Sequence, residues 1–270
     1  MAKWGIAVAR ILIAVVFVAP VYWILVIATG VRGSAYSLPP VFLPAFHFHA
    51  LWLVLTQTHL LRYLANSVLI TSVTIVGVLT SSALAGYALA EVRMPGKQLF
   101  FYLILGVMML PAQALLVPQY VVMFHLHLLN TYAGLIVPFV ASTSGIFLFR
   151  QYFMKLPSSY REIARIENVG TWTYIRRVAV PLARPAVATV TLLTFISSWN
   201  QFQWPLIMTN STSIDPIELA LTHYMQTYQA NWRELASAAL LAILPIVIVF
   251  LFTQKHIVAA VAGGDQGSKE

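Results

Sequence analysis

No cysteine occurs in the 270 residues, which removes disulfides, thiolate metal sites and thiol redox chemistry from consideration. Charge is nearly as scarce, since Asp, Glu, Lys and Arg supply 9% of the chain against about 25% in an average soluble domain. Six stretches contain none of these four residue types: residues 11–28, 66–90, 99–124, 133–149, 185–208 and 235–254. Proton- and ion-coupled carriers place ionisable groups at such depths, and intramembrane enzymes place reactive ones there. Here isolated polar groups such as Gln113, Gln119, Asn200 and Gln203 lie within the uncharged runs, and none of them is ionisable. A nucleotide loop of the form G-x-x-x-x-G-K-[ST] is missing too, so ATP chemistry would have to come from another chain.

What the sequence does contain is hydrocarbon. Apolar residues make up 60% of it, mean hydropathy is +0.81, and each uncharged run approaches the ~20 residues that cross a bilayer core as a helix. The expected fold is therefore all-α: a polytopic membrane protein with six transmembrane helices, forming one domain over residues 1–270 without internal repeats. The first run is long for a secretory signal and lacks a small-residue cleavage site, so it reads as a retained span.

The formal net charge of +8 does not indicate nucleic acid, because the bases are sorted by side. With the N-terminus inside, Lys3, Arg10, Arg93, Lys97, Arg150, Lys155, Arg161, Arg165, Arg176, Arg177, Arg184, Lys255 and Lys269 fall on the inner face, and only Arg32, Arg62 and Arg233 outside. Positive residues concentrate on the cytoplasmic side, so both termini are expected in the cytoplasm of a cell membrane, with three outer and two inner connections. Residues 30–65 form an outer segment whose stretch 46–63 suits the membrane surface, 93–97 an inner hairpin, and 209–233 an outer loop.

The second inner connection, residues 150–184, carries seven of the 16 bases and is longer than a hairpin needs, which marks a docking surface. Within it, Pro157 disfavours helix, and Ser159 with Glu162 has the spacing of a capping box. A short helix is expected from 159 to about 169, with Tyr160, Ile163, Ala164 and Ile166 on an apolar side. Asn168 or Gly170 can end it in a left-handed turn.

Those residues resemble the coupling loop of ABC-importer permeases, E-A-A, three residues, Gly, nine residues, then I-x-L-P. The matching positions are Glu162-Ile163-Ala164, Asn168, and Val178-Ala179-Val180-Pro181, with Ile163 in place of the first Ala, Asn168 in place of Gly, and valines in place of Ile and Leu. The likeness extends over roughly residues 60–262, through Asn66-Ser67, Ala85–Ala90 followed by Pro95-Gly96-Lys97, Asn130–Leu135, Phe147–Arg150 and Trp199-Asn200. In order and spacing it is similar to the carbohydrate-uptake group that includes the maltose and glycerol-3-phosphate importers. Runs 129–138, 147–157 and 198–206 look most like the second permease of the glycerol-3-phosphate system.

The resemblance implies a type I importer fold with a cytoplasmic coupling helix and no catalytic site. It implies as partners a homologous second permease, two cytoplasmic ATPases that bind ATP and Mg, an extracytoplasmic solute-binding protein and lipid. It also implies a sugar or polyol-type solute, with sn-glycerol-3-phosphate leading and a maltose-like oligosaccharide as the alternative; an ion-coupled secondary transporter is the remaining rival. The residues it assigns to ATPase coupling are Ser159, Glu162, Ile163, Ala164, Asn168, Gly170 and Pro181. Trp199, Asn200, Gln203 and Trp204 are candidates for the solute pathway, because indoles stack on sugar faces and amides bond hydroxyls; helix packing is the equal alternative. The pairs His47/His49 and His125/His127 lack the carboxylate or thiolate company of a metal site, so no metal is expected.

Overall fold

The computed structural model describes residues 2–31, 39–227 and 231–264. Arg32 and Lys269, two of the charges used for orientation, lie outside the described residues, as does part of the outer segment 30–65. Every regular element described is helical. An unpaired backbone N–H or C=O in hydrocarbon costs several kcal/mol, and a helix pairs all such groups within itself. In chain order the helices are α1 (Ala2–Ala28), α2 (His49–Gln57), α3 (Leu60–Glu91), α4 (Lys97–Met108), α5 (Ala112–His125), α6 (Tyr132–Ile136) and α7 (Thr143–Met154). There follow α8 (Ser158–Ile166), α9 (Thr171–Tyr174), α10 (Val180–Leu182), α11 (Arg184–Trp199), α12 (Gln203–Met208), α13 (Ile217–Thr227) and α14 (Trp232–Gly264).

Three stretches are long and apolar enough to cross a bilayer unaided: Trp4–Ala28, Leu60–Glu91 and Trp232–Gln254. Three more qualify as bent pairs, α4 with α5 at 104°, Tyr132–Phe139 with α7 at 44°, and Thr171–Leu182 with α11 at 83°, for up to six crossings. The expected spans 99–124, 133–149 and 185–208 are each interrupted by a break. The first breaks before α5, where Pro111 has extended backbone (ψ 133°) and no N–H to continue a helix. The second breaks at Ser142, whose hydroxyl caps α7 by accepting from the Gly145 amide at 3.1 Å. The third ends at Trp199, and its bent partner lies upstream of it rather than downstream.

The chain divides into two compact units. In the first, residues 1–66 and 215–247, α1 is apolar on every side, and Ile11, Val16 and Phe17 are all exposed. That all-round pattern suits a helix surrounded by lipid. Beyond its end the Thr29 carbonyl accepts from the His47 amide at 3.0 Å, and Trp23 lies 5.8 Å from Phe42. Asn66 and Asp215 are both buried, and the Asn66 amide donates to the Asp215 carbonyl at 2.9 Å. The outer connection 209–233, expected as a loop, contains the eleven-residue α13. Burial of Ile217, Leu219 and Ala220 supplies the tertiary packing that short helices depend on.

In the second unit, residues 67–214 and 248–270, one apolar cluster is built on Val78 and Ala83 of α3, Phe149 and Phe153 of α7, and Ala186 and Val190 of α11. The approach of α3 to α7 depends on Gly86, where a Cβ would stand 2.7 Å from the Phe149 Cβ and 3.0 Å from the Arg150 amide nitrogen. Small residues that let backbones approach are the usual adhesive between helices in lipid. A second cluster joins Ile70, Met123, Leu135, Trp204 and Met208.

Candidate functional site

The segment 150–184 folds as three short helices joined by a π-helical turn, Ile175–Ala179. Helix α8 begins after Pro157, which has extended backbone (ψ 134°) and contributes no side-chain cap. The expected capping box is absent: Ser159 is the second helical residue, too far inside for its hydroxyl to cap, and Glu162 is solvent-exposed. The C-terminal expectation resolves on Asn168, which takes φ 54°, while Gly170 is extended (φ −61°, ψ 146°) and begins α9. The Asn168 amide donates to the Arg165 carbonyl at 3.1 Å and the Val169 amide to the Ala164 carbonyl at 2.8 Å. This pair of bonds is a Schellman stop. Ala164 and Val169, the two residues it brings together, pack on the α3–α7–α11 cluster.

The rest of α8 faces outward. None of its nine residues is buried; Tyr160, Ile163 and Ile166, at successive three-residue steps, are 43%, 53% and 84% exposed. Beside this ridge an open groove of about 540 Å³ is bounded by Tyr160, Arg177, Pro181 and Arg184. Glu162, Arg165 and Glu167 are exposed as well. The helix therefore presents apolar side chains inside a charged frame.

One ion pair anchors α8 to the membrane-spanning part of its unit: the Arg161 guanidinium binds the carboxylate of Glu91, the last residue of α3. The Glu91 side chain is only 10% exposed and that of Arg161 33%. Nearby, the Lys97 ammonium donates to the Ala90 carbonyl at 2.8 Å, closing the C-terminal turn of α3. Arg150 lies with its guanidinium carbon 3.8 Å from the centre of the Phe101 ring.

A cleft of about 340 Å³ opens among α5, the break after α11, and α12, and it contains Gln113, Gln119, Asn200, Gln201 and Gln203 together with Phe139, Phe202 and Trp204. Among the described residues, no charged side chain lines it. Three of the four solute-pathway candidates, Asn200, Gln203 and Trp204, meet here. Trp199 does not: it is 1% exposed and stacks on Phe195 at 5.4 Å, a packing role. Trp204 is positioned from below, since its indole N–H donates to the Gly134 carbonyl at 3.0 Å and its ring meets Phe139 edge-on at 5.8 Å. Gly134 is required there because a Cβ would lie 2.2 Å from the Leu128 carbonyl oxygen. Gln113 and Gln119, which the spacing around Trp199 could not bring in, come from α5; their only sequence signal is an amide inside an uncharged run.

Residues 78–263 match the family of binding-protein-dependent transport system inner membrane components. The arabinooligosaccharides transport system permease protein AraQ of Bacillus subtilis is 33% identical over 207 residues, 76% of this chain and 74% of that one. The sn-glycerol-3-phosphate transport system permease protein UgpE of Agrobacterium fabrum is 31% identical over 264 residues, 94% of each chain. Among solved structures, a bacterial ABC transporter involved in the import of the acidic polysaccharide alginate has a chain that superposes with a TM-score of 0.82 at 25% identity, covering 94% of this chain and 96% of that one. The helical bundle, the family match and these relatives agree that the chain belongs to the inner membrane components of binding-protein-dependent transport systems, as an ABC importer permease and not an enzyme.

Proposed function

We propose that this permease pairs with a homologous permease, receives work from two cytoplasmic ATPases through α8, and passes a hydroxyl-rich, carbohydrate-type solute delivered by an external binding protein. ATP and Mg are held by the ATPases. The observation that carries the reading is the ridge Tyr160, Ile163 and Ile166, apolar yet exposed on a helix that is otherwise charged. Exposed apolar patches framed by polar residues mark partner sites. The orientation that puts both termini and residues 150–184 in the cytoplasm follows from the basic asymmetry.

Substituting Ile163→Asp tests this docking. It places a charge where docking would bury an apolar side chain worth about 2 kcal/mol, so ATPase affinity for the purified permease pair should fall about thirtyfold or more. Unchanged affinity, with the permease pair intact, would refute the docking role.

The amide-lined cleft supports a solute recognised through hydroxyls. Amides donate to and accept from hydroxyls, and the half-buried Phe202 ring supplies an apolar face for a sugar. This favours an uncharged saccharide, in line with the likeness to AraQ. Glycerol-3-phosphate is the second reading, favoured by the likeness to UgpE over nearly the whole chain. In proteoliposomes holding the complete importer, an excess of unlabelled arabinooligosaccharide should suppress uptake of the solute held by the binding protein, and Asn200→Ala with Gln203→Ala should slow that uptake. Suppression by glycerol-3-phosphate alone would select the second reading.

A further inference from the structure

We infer that the Glu91–Arg161 ion pair is the positioning contact through which α8 drives α3 and, along it, the amide-lined cleft. The inference rests on the docking role proposed for α8 and adds the route by which movement leaves that helix. Three observations converge on it.

First, α8 is held lightly. It buries none of its residues, and the one residue it packs on the apolar cluster is the small Ala164. Within its first turns, Arg161 alone makes a side-chain bond to a distant helix, reaching a carboxylate 70 positions earlier. Glu91 is largely shielded from water, and charge-assisted bonds from a guanidinium are stronger and more directional than neutral ones. A push on α8 therefore arrives at a defined atom at the end of α3.

Second, α3 is built to carry displacement. Of the three stretches long enough to cross unaided, it alone has no proline, since α1 contains Pro20 and α14 Pro245. Prolines and broken hydrogen-bond ladders are where helices bend. Its length from Thr71 to Glu91 is about 30 Å, the thickness of the hydrocarbon core.

Third, the far end of that rod touches the cleft. Thr71, buried, shares a hydrogen bond with Ser198 across 3.2 Å. Ser198 lies in the last turn of α11, immediately before Trp199 and the cleft residue Asn200. Pulling Glu91 shifts Thr71, and Thr71 shifts the helix end that presents Asn200.

The test uses the complete importer, both permeases, ATPases and binding protein, in proteoliposomes, reading solute imported per ATP hydrolysed together with ATPase retention on purification. Glu91→Gln should retain the ATPases and their stimulation by loaded binding protein, but lower the solute imported per ATP by about threefold or more, the size expected when one coupling contact is lost. Glu91→Arg should do the same or worse, and Glu91→Arg combined with Arg161→Glu should recover most of the ratio, a rescue that simple loss of packing does not allow. A normal ratio in Glu91→Gln, or a swapped pair no better than Glu91→Arg alone, overturns the inference. Ile163→Asp in the same preparation separates the two proposals: if it abolishes ATPase retention while Glu91→Gln imports normally, docking stands and this route falls. If Ile163→Asp retains the ATPases, the docking role itself is lost.

Discussion

Asn168 illustrates how a single backbone angle sets a proposed docking surface. At φ 54° it occupies the left-handed region, where an ordinary side chain costs about 1–2 kcal/mol and Asn less than most. The turn it makes ends α8 at Ile166 and folds Val169 back over Ala164, so the exposed ridge keeps a fixed position. Replacing Asn168 by Gly should preserve or slightly strengthen ATPase affinity. Asn168→Val, β-branched and ill-suited to that angle, should weaken it by about 1–2 kcal/mol, roughly five- to thirtyfold. Titrating the ATPase against each purified variant measures this, and equal affinities for Gly and Val would remove the turn from the account. The neighbouring Ser159 shows the opposite case. Its spacing from Glu162 reads as a capping box, yet capping depends on which residue starts the helix, and Pro157 at the N-cap puts the start two residues too early for that hydroxyl.

At the scale of elements, the approach of α3 to α7 holds the core of the second unit. Gly86 leaves no room for a side chain against Phe149 and the Arg150 backbone, so Gly86→Leu should cost about 1–3 kcal/mol or more by overpacking. It should lower the melting midpoint in detergent; an unchanged midpoint would mean that the two helices separate without penalty. Much of this level was legible in advance. Uncharged runs of span length announced the membrane helices, and Pro157 with Asn168 announced the limits of the short helix α8. The bend angles were not legible, because a run that is apolar on all sides has no periodic face to show where its direction changes; Pro111 marked a possible bend without its angle, and Ser142 carried no advance signal. Trp199 and Trp204 were likewise indistinguishable as adjacent indoles, and only the helix end at Asn200 sends one into the packing and the other to the cleft. The Glu91–Arg161 pair joins positions too far apart for any local pattern to connect.

For the whole molecule, scarce charge, exposed apolar surface and a charged inner loop fit a chain that works between lipid and cytoplasmic partners. In the docking proposed above, α8 lies in the cytoplasm and is covered by ATPase subunits. The absence of native cysteine makes this directly measurable, since a thiol placed at Ile166, 84% exposed, would be the sole target in the chain. With Ile166→Cys, a membrane-impermeant maleimide should label inside-out vesicles stripped of ATPases, fail to label right-side-out vesicles, and be blocked when the ATPases rebind. Labelling of right-side-out vesicles, or labelling that rebinding the ATPases leaves unchanged, would contradict the account.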